Sequence, residues 1–414
     1  MTGGPFAGLV INVKDHGAVG DGSTDDTDAL RAAIDSSTEG QAFYFPPGTY
    51  LVSKRLVPKA GQVYFSLTDA ATIKVAPETK PFAVFDVTAG PVQFHHLTLD
   101  LSKGPKVEPP DCAKDAPAGI LAQAEDSGTV DLVVSSCRIR HCHGQGIRVG
   151  GSGESGHDRV VVRNVVVADC CESGLTLNRV NGARVEASWF TGCRNGVQVA
   201  SSRDVAVKAV TATGNRRHGI AFRYSHDWHV SDCVASGNGG AEKDQDKLRG
   251  WGIVAGGGPE IKHPPPNSDF TITDNVCEDN YAGGITLDPT VADDPSTEQD
   301  ESELIWGQRA RVRGNLCRGR KDGERREGDD PFGIHGIHVR NSSDVLVTGN
   351  HCHHNKHCGI AVVNSSHVLV EANWCYENTT GIGLFAQDVP GAGSHVVDAN
   401  ALYANDEADL KGLR

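Results

Sequence analysis

Along most of the chain one pattern of apolar and polar positions recurs. A glycine followed by an apolar residue opens a short alternating run at Gly146-Ile147, Gly174-Leu175, Gly196-Val197, Gly219-Ile220, Gly252-Ile253, Gly284-Ile285, Gly336-Ile337, Gly359-Ile360 and Gly381-Ile382. The uninterrupted intervals are 22 or 23 residues, as from Gly174 to Gly196 to Gly219 and from Gly336 to Gly359 to Gly381. Longer intervals are the same unit carrying insertions. Upstream of these glycines a second pattern, Asn-x-Cys-x-x-Asn, appears as Asn275, Cys277, Asn280, as Asn350, Cys352, Asn355 and as Asn373, Cys375, Asn378, with Asn315 and Cys317 keeping its first half. Earlier units place Ile139, Val166, Phe190, Ala212 and Ala235 in the Cys slot.

A unit this short cannot bury its own apolar face, so units must stack, about 4.8 Å apart with parallel strand pairing. Equivalent slots then lie above one another. The expectation is an all-β fold, a single-stranded right-handed parallel β-helix, with a buried column of small apolar and thiol groups and a column of turn asparagines. Asn suits such a turn by tolerating left-handed backbone angles and by bonding to its neighbours above and below.

The N-terminal segment differs. The run STDDTDALRAAIDSS predicts an amphipathic helix, with Asp25, Asp26 and Asp28 favouring its N-terminal dipole and Ala29, Leu30, Ala33 and Ile34 forming an apolar stripe. A strand at Phe43 to Phe45 and a Pro-Pro-Gly turn follow. A solenoid needs its open end covered, and this helix is the natural cap. The chain reads as one domain over 1–414, with the cap and first strands at 9–55, coils to about residue 405 and a polar tail at 406–414.

Composition agrees with this pattern. Among 414 residues there are 49 Gly, one Met and few aromatics, which suits short strands and tight turns. The net charge of −14 argues against nucleic acid and anionic membrane as partners, but a local basic groove can still bind an acidic polysaccharide. The 12 Cys follow the repeat, so they read as mostly buried thiols rather than a disulfide scaffold. With no secretory signal visible in MTGGPFAGLVINV, the expected location is the cytoplasm, or outside the cell if a signal peptide has been removed.

The run NVKDHGAVGDGSTDDTDALRAAIDSS, followed by FYFPPGTYLVS, resembles the opening of pectate-lyase-superfamily (pectin-lyase-like) β-helix proteins. That group includes polysaccharide lyases, glycoside hydrolases, phage tailspikes and mannuronan C-5 epimerase modules. The resemblance implies the fold, and it implies a carbohydrate as the class of substrate. Its catalytic motifs do not carry over. Asp288-Pro289-Thr290 lacks the His and Glu of the epimerase Asp-Pro-His-Glu motif, and Asp329-Asp330 with Gly333-Ile334-His335-Gly336 only echoes the polygalacturonase set.

Insertions at 151–158, 257–267 and 289–308 follow the Gly-apolar strand, and those at 239–250 and 319–333 precede it. All flank one strand column, so they should wall a groove whose floor is that column's outward face. Alternation points Ile220 and Phe222 inward and Ala221 and Arg223 outward. The same register turns Val254, Gly256, Thr286, Asp288, His338 and Arg340 outward, with His218, Trp251 and His335 just before their strands. Asp288 is then expected about 5 Å from Arg340 and about 10 Å from Arg223. Tyr224, His226 and Asp227 fall at the edge.

These residue types suit chemistry at C-5 of a uronic acid. Its carboxylate must be neutralised, which suits Arg223 and Arg340. Protons must be moved, which suits Asp288, His338, His335, His218 and Tyr224. Trp251 can stack on a sugar ring. The leading expectation is therefore a lyase or epimerase of a uronate-containing glycan. A glycoside hydrolase in the same groove is an alternative, with Asp288 paired to Asp329, Asp330 or Glu260. A cytoplasmic isomerase or cyclase of a small intermediate is another, and so is a non-catalytic glycan-binding or tailspike-like β-helix. No cofactor is called for. Calcium on Asp293, Asp294, Asp300 and Glu301 is possible, and the His351-Cys352-His353-His354 run reads as a surface His patch because Cys352 belongs to the buried column.

Overall fold

A computed structural model describes residues 9–76, 80–102, 118–123, 131–150, 157–240, 250–257, 267–289, 306–319, 334–385 and 394–412. They fall into two compact units, residues 1–194 and 195–414. Each unit is built from three parallel sheets, to which successive coils add one strand apiece. The fold is a right-handed parallel β-helix. No helix among the described residues is long and apolar enough to cross a membrane.

In the first unit the single α-helix among the described residues runs Thr27–Ser36 and buries Leu30, Ala33 and Ile34. It starts later than the sequence pattern predicts. Asp21–Asp25 form a strand beside Gly48–Val52 instead of a first helical turn. The carboxylates upstream are used locally. Asp25 accepts the N–H of Thr27 at 3.0 Å, and buried Asp26 accepts those of Val19 at 2.6 Å and Gly20 at 3.1 Å. The apolar slot of this unit reads Ile139, Val167, Phe190, so Val167 and not Val166 occupies it.

In the second unit the same slot reads Ala212, Ala235, Cys277, Cys317, Cys352, Cys375. Among the described residues ten cysteines are free and buried, and Cys171 is disulfide-bonded. Burial pushes the Cys137 and Cys233 thiols up to about 12, so they pack as small neutral groups.

Two asparagine ladders run beside this slot. The Nδ2 of Asn275 donates to Oδ1 of Asn315 at 2.9 Å, Asn315 to Asn350 at 2.9 Å, and Asn350 to Asn373 at 2.9 Å. Each Oδ1 also accepts the backbone N–H of the Asn before it, and each Nδ2 reaches a carbonyl of the preceding coil, as Asn350 does to Val312 at 3.0 Å. A buried amide with every group bonded is stabilising, whereas an unmatched one is costly. The left-handed backbone lies one residue earlier than the sequence reading places it. Asp274, Asp279, Gly314, Gly349, His354, Ala372 and Glu377 carry the positive φ, and the ladder asparagines do not.

The strand-opening glycines answer to close approach. A Cβ on Gly284 would meet the carbonyl oxygen of Gly336 at 2.5 Å and Cys317 Sγ at 2.9 Å, and one on Gly336 would meet the carbonyl of Gly359 at 2.6 Å. Only a residue without a side chain lets adjacent coils touch here.

Candidate functional site

The site lies in the second unit, on the sheet formed by strands Ile220–Arg223, Trp251–Gly256, Gly283–Asp288, His335–Arg340, Cys358–Val363 and Thr380–Phe385. Their register stacks the outward positions in columns. One column reads Ala221, Val254, Thr286, His338, Ala361. A second reads Arg223, Gly256, Asp288, with Arg340 continuing it. A third reads Trp251, Gly283, His335.

Asp288 Oδ2 pairs with Arg340 Nη1 at 3.6 Å, the relationship that coil spacing predicts. Gly256, itself buried, separates Arg223 from Asp288 in this column and contributes no side chain between the cation and the carboxylate. His338 sits one column over. Its Nδ1 lies 3.3 Å from Thr286 Oγ1, and its buried Nε2 has no hydrogen-bond partner among the described residues. Burial, reinforced by the neighbouring Arg340 charge, lowers the His338 pKa to about 3, so the ring is neutral at physiological pH.

The other two histidines are fixed by backbone. His218 Nδ1 accepts the N–H of Trp251 at 3.3 Å, and His335 Nδ1 accepts the N–H of Cys358 at 3.2 Å. An acceptor at Nδ1 places the proton of a neutral imidazole on Nε2, so both rings are set as donors there. The same geometry recurs because both stand at the strand-entry position, where the next coil's N–H faces the ring. The rings also stack: His338 lies 5.8 Å from Trp251 at an interplanar angle of 8° and 5.1 Å from His335 at 21°.

The floor differs from the solvent-facing one that alternation predicts. Trp251, Thr286, Asp288, His335 and His338 are all at most 4% exposed, and only Arg223 and Arg340 are half-buried. Trp251 packs with Ala221, Val254 and Ala282 on the outer side of the sheet, so its indole supports His338. The described geometry shows no exposed indole face there for a sugar. Tyr224 leaves the strand after Arg223 with a φ of 47°. His226 belongs to a different sheet, where Nδ1 meets Ser268 Oγ at 2.7 Å. Two neighbours escape the sequence reading. Thr286 appears in its register without a role, and His357, 5.8 Å from His335, is hidden in the His-rich run.

The expected groove walls lie largely outside the described residues, as do Asp329, Asp330 and Glu260 and the acidic set Asp293, Asp294, Asp300 and Glu301. Among the described residues no group of three or more His, Cys, Asp or Glu could hold a metal ion. In the His-rich run, Cys352 faces the core while His351 and His353 are half-buried on the outer face.

A family model described as "Right handed beta helix region" matches residues 118–287 and 304–408, and the chain belongs to that family. A second, described as "Rhamnogalacturonase A/epimerase, pectate lyase-like", matches residues 10–86. A probable rhamnogalacturonase A of Aspergillus niger is 24% identical over 344 residues, covering 67% of this chain and 76% of that protein. A probable glucan endo-1,3-beta-glucosidase of Arthroderma benhamiae is 43% identical over 96 residues, 20% of this chain, and the match spans 11% of that protein's length. The A-module of the Azotobacter vinelandii mannuronan C-5 epimerase AlgE4 superposes with a TM-score of 0.56 at 18% identity, covering 97% of this chain and all of that one. That likeness is one of fold.

Proposed function

We propose that the chain is a carbohydrate-active enzyme that removes the C-5 proton of a uronate-containing or related glycan, as a lyase or an epimerase. The observation that carries this reading is His338, a neutral imidazole with a buried nitrogen that no described residue engages, beside the Asp288–Arg340 pair. A buried ring nitrogen without a partner is costly unless a ligand uses it.

In this reading Arg340, oriented by Asp288, takes the uronate carboxylate, with Arg223 further along the same column beyond Asp288 and Gly256. The guanidinium stabilises the negative charge that develops on the carboxylate when the C-5 proton leaves. His338 Nε2 accepts that proton, with the substrate carboxylate against Arg340 offsetting the burial and charge that hold its basicity down. In a lyase the electron pair forms the C-4 to C-5 double bond and the C-4 oxygen departs, whereas in an epimerase a proton returns on the opposite face. His335 and His218, held as Nε2 donors, are the groups for that second proton, with Tyr224 at the edge. The names of the relatives support a glycan as the class of substrate.

Hydrolysis in the same groove is the second reading, favoured by the extended match to a rhamnogalacturonase. It needs a second carboxylate at a fixed separation from Asp288. Ultraviolet absorbance of unsaturated uronate together with reducing-end release, on a panel of uronate polymers and oligosaccharides, separates the two. Absorbance that Asp288→Asn and Arg340→Ala both abolish supports a lyase at this site. Reducing ends without absorbance support hydrolysis.

A further inference from the structure

A different face of the second unit carries an aromatic surface that the site above does not use. On the sheet containing His351–His353, Trp374–Tyr376 and Ala401–Tyr403, two outward columns run side by side. One reads His353, Tyr376, Tyr403 and is a continuous ring stack, with centroids 4.8 and 5.1 Å apart and interplanar angles of 4° and 2°. The other begins with His351 tilted by 35° against Trp374 at 4.6 Å, and then meets Ala401 where its neighbour has Tyr403. The second ladder therefore lacks one ring. One face of Trp374 is covered by His351, while the indole as a whole stays 50% exposed above a methyl group, and Tyr403 beside it is also 50% exposed.

We propose that this notch over Ala401 is a glycan subsite that takes one neutral pyranose ring, stacked on Trp374 and flanked by Tyr403. The inference rests on the reading of the chain as a glycan-acting protein, and it adds a binding site apart from the Asp288–Arg340 groove. Ala401 lies on the last strand of this sheet, so among the described residues the space beside Trp374 has no ring on its far side and admits one stacked at about the 4.8 Å strand spacing. A pyranose presents a C–H face to an indole and hydroxyls at its rim, matching an apolar ring face edged by a phenol and by solvent. A neutral sugar fits better than a uronate, because the adjoining turns carry Glu377, Asp406 and Glu407, Asp398 ends the strand before Ala401, and the chain has a net charge of −14. Of the basic groups nearby, His354 is already paired with Glu377 at 3.0 Å, and Lys411 lies 3.8 Å from Glu407.

The test is calorimetric titration of the full chain with the β-1,3-gluco-, β-1,4-gluco- and β-1,4-manno-hexasaccharides, with hexamannuronate alongside. At least one neutral hexasaccharide is expected to bind. Trp374→Ala should weaken it on the order of 10-fold, and Trp374→Tyr should restore most of the affinity. Ala401→Trp, which fills the vacancy, should weaken it comparably without lowering the melting temperature. Asp288→Asn should leave this binding intact, so a failure here is separable from a failure of the groove reading. The proposal is overturned if no neutral hexasaccharide binds, if both notch variants bind like the parent, or if hexamannuronate alone binds at the notch. A parent dimer that Trp374→Ala converts to monomer, with no sugar bound, would overturn it in favour of contact between copies of the chain.

Discussion

Asp288 and Arg340 reach each other from adjacent coils 52 residues apart in sequence, Oδ2 to Nη1 at 3.6 Å, with the carboxylate side chain 3% and the guanidinium side chain 21% exposed. The asymmetry of exposure matters. The carboxylate is out of water and depends on its neighbours, while the arginine keeps an accessible edge with which to meet a substrate anion.

Arg340→Ala should therefore damage stability as well as turnover, because it strips a partner from a buried carboxylate. The expected loss is about 3 kcal/mol, near the low end for a broken buried pair because Arg340 is partly exposed. Arg340→Lys should recover much of the stability but not the turnover, since an ammonium cannot form the paired fork that a guanidinium offers a carboxylate. Urea melts paired with activity on uronate oligosaccharides check both halves.

His338 sets a pH signature. Its folded pKa of about 3 lies below the ordinary value of 6.5, so the unfolded chain binds the proton more readily. The ring's contribution is fully present above pH 6.5 and is lost as pH falls from there toward 3, with a limiting slope of about 1.4 kcal/mol per pH unit. His338→Gln should flatten the stability curve between pH 6.5 and 4. Asp100, whose folded pKa is lowered to about 2, acts at lower pH, below its ordinary 3.8. Chemical denaturation at half-unit pH intervals measures the difference.

The asparagine ladder should respond steeply to a single deletion. Asn350→Ala removes the acceptor of Asn315's backbone N–H and Nδ2, and it removes the donor to Asn373 Oδ1 and Val312 carbonyl. Each buried group left unmatched costs about 1–3 kcal/mol, so a loss of about 3 kcal/mol or more is expected by thermal or urea melt. Asn350→Asp keeps the acceptor but sets a buried carboxylate against Asn373 Oδ1 and the Val312 and Thr348 carbonyls, so it should cost at least as much as the alanine.

Gly284→Ala tests the close approach of coils. Its Cβ would fall 2.5 Å from the Gly336 carbonyl, within the backbone of the next strand, and overpacking of this kind costs about 1–3 kcal/mol. Gly237→Ala is the control. Nothing lies within 4 Å of its Cβ, and its φ of +61° should cost only about 1 kcal/mol.

The columns were legible in the sequence because a 22- or 23-residue repeat places equivalent side chains above one another, and alternation assigns each a side of the sheet. That reasoning put Asp288 next to Arg340 and Cys277 over Cys317, and its one-residue slip at Val166 for Val167 follows from an earlier coil without the Asn-x-Cys marker. Alternation says which way a side chain points but not what lies over it, so the burial of Asp288, Trp251 and His338 was not readable. The proton positions of His218 and His335 were equally hidden, because each depends on a backbone N–H of the next coil. Asn was assigned the left-handed turn position from its intrinsic tolerance, but its amide is committed to the ladder and the strained backbone falls on the residue before it.

Proton exchange at C-5 of a uronate oligosaccharide, followed by proton NMR in heavy water, tests the central proposal most directly. Lyase and epimerase chemistry both remove that proton, so the account predicts that its signal disappears with the parent chain and persists with His338→Gln and Asp288→Asn. Release of reducing ends with the C-5 proton fully retained would contradict it and move the activity to hydrolysis.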